Sequence, residues 1–227
     1  MPFPALADNL AEVRGRIAEA AKRGPGQKVT LVAVTKTHGP EAVRAVHALG
    51  VTDVGENKVQ EALPKMEAAA VPVRWHLIGH LQRNKAKSTD RFALVHSIDS
   101  VRLAEAVSSV GSARGRPVPV LVQVNVSGEE TKGGFAPNEL GAAAEHFASL
   151  PGLHVEGVMT MAPLDAAEPT LRTVFGGARR ALDVLRGAGL DAARELSMGM
   201  SGDYEIAVEE GATIVRLGTV LFGARGT

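Results

Sequence analysis

The stretch LVAVTKTHGPEAV, residues 31–43, contains the unit that decides the fold of this chain. An apolar run over 31–34 leads to Lys36, a turn follows at Gly39, and the apolar spacing of a helix then begins. The same order of strand, turn and helix recurs along the whole sequence. Because strands and helices alternate, we expect a parallel sheet whose strands are joined by right-handed crossovers.

Eight such units can be counted. The predicted strands occupy residues 29–34, 53–56, 73–79, 93–98, 119–126, 154–160, 194–199 and 212–218. The predicted helices occupy residues 40–49, 57–69, 81–88, 100–110, 137–149, 169–187 and 203–211, after an amphipathic helix that begins at Leu6 and ends near Gly24. This pattern predicts an α/β fold, a (β/α)8 TIM barrel with an extra N-terminal helix, as a single domain over residues 1–227.

An open, doubly wound sheet is the alternative fold for alternating strands and helices. Such a sheet that binds a dinucleotide carries a glycine-rich first turn. The first turn here, TKTHGPE, has one glycine and therefore lacks that fingerprint.

Composition limits the classes of function. The 25 basic and 25 acidic residues balance, so no general attraction to nucleic acid or to an anionic membrane is expected. The absence of cysteine excludes disulfides, thiolate metal sites and a cysteine nucleophile. The N-terminal stretch lacks the apolar core of a signal peptide, and no apolar run has the length of a bilayer span. We therefore expect a cytoplasmic protein.

Two loops at the ends of strands seven and eight form a candidate phosphate site. In a (β/α)8 barrel the site lies at the carboxyl ends of the strands, and phosphate is commonly bound after strands seven and eight. The sequence MSGD supplies Ser201 and Gly202, and RLGT supplies Gly218 and Thr219. Hydroxyl groups and exposed backbone N–H groups suit an anion. The alternative is that Ser201 caps a helix and Gly218 makes a turn.

Lys36 gives the candidate site a reactive amine. An amine held at the end of an apolar strand is partly desolvated and can form a Schiff base with an aldehyde. An aldehyde-binding lysine and a phosphate site at one barrel end together suggest pyridoxal 5′-phosphate (PLP). Arg216 shares the strand face of Gly218 and could donate a hydrogen bond to the pyridine nitrogen, which would disfavour carbanion chemistry. The alternative for Arg216 is an ion pair with a carboxylate.

At this point the sequence resembles a known family. The motifs VAVTK, GENKVQE, WHLIGHLQRNK, LVQVNVSGEETKGGF, GVMTM and LSMGMSGDYEIAVEEGATIVRLGTVLFGAR are similar, in this order, to those of the pyridoxal phosphate homeostasis proteins. The resemblance implies a barrel like the N-terminal domain of alanine racemase, and an internal aldimine of PLP on Lys36. It implies a cofactor site formed by Lys36, Asn57, His76, Met159, Ser201, Arg216, Gly218 and Thr219.

The role implied by the resemblance is that of a monomeric, non-enzymatic PLP-binding protein. It would maintain PLP and vitamin B6 homeostasis and deliver PLP to apo forms of PLP-dependent enzymes, without catalytic residues or a metal. Lys58 and His80 depart from the residues that many relatives carry there, and both border the expected site. Lys132 repeats a lysine of the family pattern and is either a second docking point for PLP or an exposed loop lysine.

An amino-acid racemase is the alternative function. A two-base racemase needs a second base, such as a tyrosine, opposite the lysine. The single tyrosine, Tyr204, falls inside the helix of the predicted phosphate side, where it is badly placed to act. A zinc pair of His76 and His80 has suitable spacing, but the pair spans a strand end and Gly79, so the two rings need not share a face.

Overall fold

Eight parallel strands close into a barrel in the computed structural model, which describes residues 3–129 and 131–223. The predicted domain span therefore includes residues 1, 2, 130 and 224–227, which lie outside the described residues. The strands are β1 (Thr30–Val34), β2 (Asp53–Glu56), β3 (Arg74–Leu77), β4 (Leu94–Ile98), β5 (Val118–Gln123), β6 (Leu153–Met159), β7 (Glu195–Ser197) and β8 (Ile214–Leu217). Each strand pairs with its neighbour in the chain, and β8 pairs with β1. The predicted (β/α)8 barrel is confirmed.

The helices surround this barrel. They are α1 (Leu6–Arg23), α2 (Pro40–Ala48), α3 (Val59–Ala69), α4 (Val101–Ala113), α5 (Leu140–Ala148), α6 (Glu168–Gly187), α7 (Tyr204–Glu209) and α8 (Thr219–Phe222). The extra helix α1 buries Leu6, Leu10 and Val13 at helical spacing and packs against α7 and α8. Within the described ranges, the structure has no helix whose length and apolar character would suit a bilayer span.

The segment between β3 and β4 differs from the prediction. Residues 81–88 were expected to form an α-helix, but the structure has a 3-10 helix over Arg83–Arg91. The buried positions of this segment, Ala86, Thr89 and Phe92, recur every three residues. A 3-10 helix has three residues per turn, so side chains three positions apart lie on the same face of the helix. The 3-10 helix therefore buries these side chains together.

Two further differences lie near the carboxyl ends of the strands. Strand β5 ends at Gln123, three residues before the predicted end, and the short helix α8 was not predicted. The early end of β5 matters because Asn125 then belongs to a loop. Its amide donates hydrogen bonds to the carbonyl groups of Glu129 and Lys132, at 2.9 and 3.0 Å. Asn125 therefore holds the loop after β5.

The interior of the barrel has two chemically different halves. Apolar side chains fill one half, from Val32, Leu94, Leu121, Met159 and Ile214. A row of buried polar side chains crosses the other half, from Asp53, His76, His96, Ser197 and Arg216. Since inward-facing residues alternate along each strand, the next inward positions towards the carboxyl ends open on a cavity.

Candidate cofactor-binding site

A cavity of about 810 Å³ lies at the carboxyl ends of the strands. Six of the predicted site residues line it: Lys36, Asn57, Ser201, Arg216, Gly218 and Thr219. They come from the ends of β1, β2, β7 and β8, and β8 lies between β7 and β1 in the sheet. Five of the six therefore come from three adjacent strands.

Lys36 reaches the cavity because of its place on β1. Val32 faces the barrel interior, and Val34 and Lys36 follow at the same alternation and line the cavity. Thr37, the next residue, has a φ of 69°, in the left-handed region that a β-branched residue rarely adopts. The chain therefore turns sharply straight after the lysine.

Thr35, Glu56 and Lys65, here called the outer anchor, hold the end of β1 on the helix side of the barrel wall. The Thr35 hydroxyl donates to Oε1 of Glu56 at 2.6 Å. The Lys65 ammonium donates to the same carboxylate oxygen at 2.7 Å and to the carbonyl of Thr35 at 2.9 Å. Glu56 is fully buried, so this ion pair ties β1, β2 and α3 together beside Lys36.

Arg216 is a buried cation whose donors are only partly used. One terminal nitrogen donates to the carbonyl and hydroxyl of Ser197, at 2.8 and 2.6 Å, and the other donates to the carbonyl of Thr160 at 2.9 Å. A guanidinium has five N–H groups. The remaining two find no acceptor among the described residues, and the side chain borders the cavity. Burial lowers the pKa of Arg216 to about 10, so it stays charged at neutral pH.

The loops after β7 and β8 present backbone donors. No described residue accepts a hydrogen bond from the backbone N–H groups of Ser201, Gly202, Gly218 and Thr219. The Ser201 hydroxyl accepts from the backbone N–H of Val220 at 3.2 Å and so joins the two loops. The position before α7 is Asp203, whose carboxylate accepts from the backbone N–H of Met200 at 2.6 Å. Ser201 therefore does not cap α7, and its hydroxyl instead accepts from the first turn of α8.

Close packing of two loops shapes the wall at Asn57. A Cβ atom on Gly79 would lie 2.3 Å from the carbonyl oxygen of Asn57, so only glycine fits there. This contact brings the loop after β3 against the loop after β2 and keeps Asn57 at the cavity wall.

Two predicted site residues, His76 and Met159, lie outside the cavity lining. His76 is buried inside the barrel and contacts Asp53 and His96, each at 2.9 Å. Met159 packs in the apolar half of the interior. The cavity is lined instead by Ile78 and Met161, two residues further along the same faces. The predicted inward faces of β3 and β6 were correct, but the residues that reach the cavity lie two positions further along each chain segment than predicted.

Sequence reasoning also missed several polar residues that line the cavity, among them Gln123, Asp99 and Asp203. His80 and Lys132 line it too, as was expected for His80 and as one of the two alternatives for Lys132 placed it. His80 lies at the rim with its Nδ1 2.9 Å from a carboxylate oxygen of Asp99. Gln123 follows Leu121 on the inward face of β5, so strand alternation could have found it. The others lie in loops, where strand alternation gives no signal.

The rival chemistries find little support in this geometry. Tyr204 is buried and does not line the cavity, and its hydroxyl has no hydrogen-bond partner among the described residues. His76 is enclosed while His80 is exposed at the rim, so they do not form a zinc pair. In the described part of the chain, no group of three acidic or histidine side chains is arranged around a metal position.

The chain matches a protein family over residues 5–226, that of the alanine racemase N-terminal domain. A pyridoxal phosphate homeostasis protein of Pseudomonas aeruginosa is 45% identical, covering 97% of this chain and 96% of its own length. The Escherichia coli protein of the same name is 37% identical, with 97% of both chains covered. The chain belongs to the pyridoxal phosphate homeostasis protein family, as its motifs indicated.

Solved structures agree with this assignment. PipY of Synechococcus elongatus, in a structure with PLP bound, is 35% identical with a TM-score of 0.85, covering 96% of this chain and all (100%) of PipY. Alanine racemase of Corynebacterium glutamicum has a TM-score of 0.76 at 18% identity, over 62% of its length. The similarity to the racemase is therefore one of fold.

Proposed function

We propose that this protein binds pyridoxal 5′-phosphate in the cavity through Lys36 and contributes to the homeostasis of this cofactor. PLP offers an aldehyde, a phosphate and a pyridine nitrogen, and each group needs a different partner. The observation that carries the proposal is the convergence of three such partners on one cavity: the Lys36 amine, the unpaired backbone donors after β7 and β8, and the two free N–H groups of Arg216.

The arrangement of these partners suits the shape of the cofactor. Lys36 would bind the aldehyde carbon as a Schiff base, which is the covalent chemistry that PLP supplies. Ser201, Gly218 and Thr219 would hold the phosphate through backbone N–H and hydroxyl groups. Arg216 would donate a hydrogen bond to the pyridine nitrogen, and Asn57 would form the cavity wall on the side of β2. These residue roles belong to the proposal.

A carrier fits the cavity better than a racemase does. A charged arginine beside the pyridine nitrogen keeps that nitrogen unprotonated, which weakens the ring as an electron sink. Tyr204 is enclosed away from the cavity, so it gives no second base. The curated relatives are named as homeostasis proteins rather than as enzymes. We therefore propose a protein without turnover of its own, acting as a cytoplasmic monomer that passes PLP to apo-enzymes.

Absorption spectroscopy tests the cofactor site. Purified protein is mixed with PLP, and the visible band is recorded before and after borohydride. We expect a Schiff-base band that reduction removes, that Lys36→Ala lacks, and that Lys58→Ala retains, because Lys58 is an exposed lysine paired with Glu61. A full-strength band in Lys36→Ala would overturn the assignment of the lysine. Incubation of the loaded protein with a panel of L-amino acids, followed by chiral analysis, tests the racemase alternative.

A further inference from the structure

Five buried polar side chains, here called the inner chain, form an unbroken row of hydrogen bonds inside the barrel. Arg216 contacts the Ser197 hydroxyl at 2.6 Å, and the Ser197 hydroxyl lies 2.9 Å from Nδ1 of His96. Nε2 of His96 lies 2.9 Å from Nδ1 of His76, and Nε2 of His76 lies 2.9 Å from a carboxylate oxygen of Asp53. The inner chain thus runs from the cavity floor to the opposite end of the barrel.

The donor at the upper end fixes the direction of every proton. Arg216 can only donate, so the Ser197 oxygen accepts from it and the Ser197 hydrogen is free for Nδ1 of His96. His96 then carries its proton on Nε2 and donates to Nδ1 of His76. His76 likewise carries its proton on Nε2 and donates to Asp53. With both rings neutral and Asp53 ionised, each contact contains one proton.

The competing arrangement reverses this direction and leaves a defect. If His76 were doubly protonated, it would donate to His96, and His96 would donate to Ser197. The Ser197 oxygen would then accept twice, and its own hydrogen would have no acceptor among the described residues. An unpaired polar group in a buried position is costly. Burial, and with it the charge of Arg216, holds the pKa of His96 well below its usual range, which also favours a neutral ring.

Charged groups face the inner chain from several elements. Asp53 and Arg74 lie at its lower end, with 3.5 Å between the nearest atoms of their charged groups. Glu156 is close enough to interact with His76, and burial raises the pKa of this carboxyl. Asp203 lies near the charge of Arg216 at the upper end.

We propose that Ser197, His96, His76 and Asp53 are positioning residues for Arg216, acting as a one-directional chain of hydrogen bonds that ends on an ionised Asp53. The inner chain holds the guanidinium at the cavity, where two of its N–H groups have no acceptor among the described residues. The consequence for the cofactor ring rests on the proposed function, whereas the proton arrangement is a property of the protein alone.

Nitrogen-15 NMR of the imidazole rings in the cofactor-free protein tests the proton arrangement directly. At neutral pH, we expect the rings of His76 and His96 each to carry a single proton, on Nε2. A doubly protonated His76 at neutral pH, or a proton on Nδ1 of His96, would overturn the proposal.

Ser197→Ala tests the positioning of Arg216, with Ser108→Ala as the matched control. Ser108 is also a buried serine, but its hydroxyl accepts from the backbone N–H of Gly152, and neither residue lines the cavity. We expect Ser197→Ala to bind PLP about tenfold more weakly, by loss of one charge-assisted contact. We also expect its cofactor band to titrate at a different pH, while Ser108→Ala keeps both properties of the wild type.

Each outcome of these experiments is informative. If the wild type binds PLP and Ser197→Ala binds it equally well with an unchanged pH profile, the positioning role is wrong while the proposed function stands. If the wild type does not bind PLP, the proposed function fails, and the NMR result still decides the proton arrangement. If Ser197→Ala does not fold, Asp53→Asn replaces it. The amide oxygen of this variant can still accept a hydrogen bond from His76, but the negative charge is lost. An unchanged pH profile of the cofactor band in Asp53→Asn would then count against the positioning role.

Discussion

Two buried polar networks flank the cavity, and they differ in what they fix. The outer anchor is a compact ion pair between β1, β2 and α3, and it holds the backbone that carries Lys36. The inner chain is a row of mostly neutral groups inside the barrel, and it holds the side chain of Arg216. We infer from the comparison that burial of charge determines the stability of the first network, whereas the direction of the protons determines how the second network holds Arg216.

Breaking the outer anchor has the largest expected effect. Lys65→Met removes the ammonium and leaves the carboxylate of Glu56 buried with only the Thr35 hydroxyl as its donor. We expect the free energy of unfolding to fall by about 3–5 kcal/mol, because an uncompensated buried charge remains. Urea denaturation of the cofactor-free protein measures the change.

The control for this variant is the double substitution Glu56→Gln with Lys65→Met. It removes both charges, so it should recover part of the lost stability. If Lys65→Met costs less than about 1 kcal/mol, the value typical of an exposed pair, the outer anchor does not have the role given to it here.

Interrupting the inner chain has a smaller expected effect on stability. His96→Leu leaves the hydrogen of Ser197 and Nδ1 of His76 without partners, which we expect to cost about 1–3 kcal/mol. Unlike Lys65→Met, this variant should also change the proton position on His76, visible by nitrogen-15 NMR. A change in stability with an unaltered His76 ring would mean that His96 only fills space.

Asp53→Asn sharpens the comparison through pH. Burial raises the pKa of Asp53, but hydrogen bonds from His76 and Thr52 and the charge of Arg74 outweigh it, so the pKa lies below its ordinary value. A depressed carboxyl pKa gives stability that is complete above the unfolded pKa and is lost as the pH falls through the folded pKa. We expect the wild type to be more stable than the variant by about 1 kcal/mol at neutral pH.

This difference should begin to shrink near pH 4, the ordinary range of an aspartate pKa, and should disappear once the pH falls below the depressed pKa of the folded state, where Asp53 is protonated in both states. Unfolding midpoints of the two proteins between pH 3 and pH 7 supply the measurement. A difference that stays constant over the whole range would show that Asp53 contributes no charge to the inner chain.

The smallest effect is expected for a pair with the same chemistry as the outer anchor but no burial. Lys58 and Glu61 form an exposed Lys–Glu pair, 2.8 Å apart. Water screens such a pair, so Lys58→Ala should leave the unfolding midpoint unchanged within error. A loss as large as that of Lys65→Met would contradict the claim that burial separates the two pairs.

The sequence was sufficient to predict the barrel, because the patterns that indicate its strands and helices are local. The apolar runs and the helical spacing of Leu6, Leu10 and Val13 each come from a few neighbouring residues. Lys36 and Gly218 could be placed at the cavity because each lies within two residues of the end of a strand. The 3-10 helix, by contrast, was not predicted. Its buried residues recur every three positions, but one of them is the polar Thr89, so the apolar pattern of the sequence did not show this period.

Long-range partners explain the errors at the site. His76 was expected at the cavity because it follows Trp75 in a familiar motif, but its position depends on Asp53 and His96, which are distant in sequence. The hydrogen-bond partners of Glu56 and Arg216 could not be predicted either, since these partners belong to other strands or helices. Only the closed barrel, with its register, brings these groups together.

Mapping the lysine that carries the cofactor tests the central claim most directly. The protein is mixed with PLP, reduced with borohydride and digested, and the peptides are analysed by mass spectrometry. The account predicts the pyridoxyl phosphate group on the peptide that contains Lys36, with little on the peptide that contains Lys132. Modification mainly at Lys132 or at another lysine, or no modification at all, would contradict it.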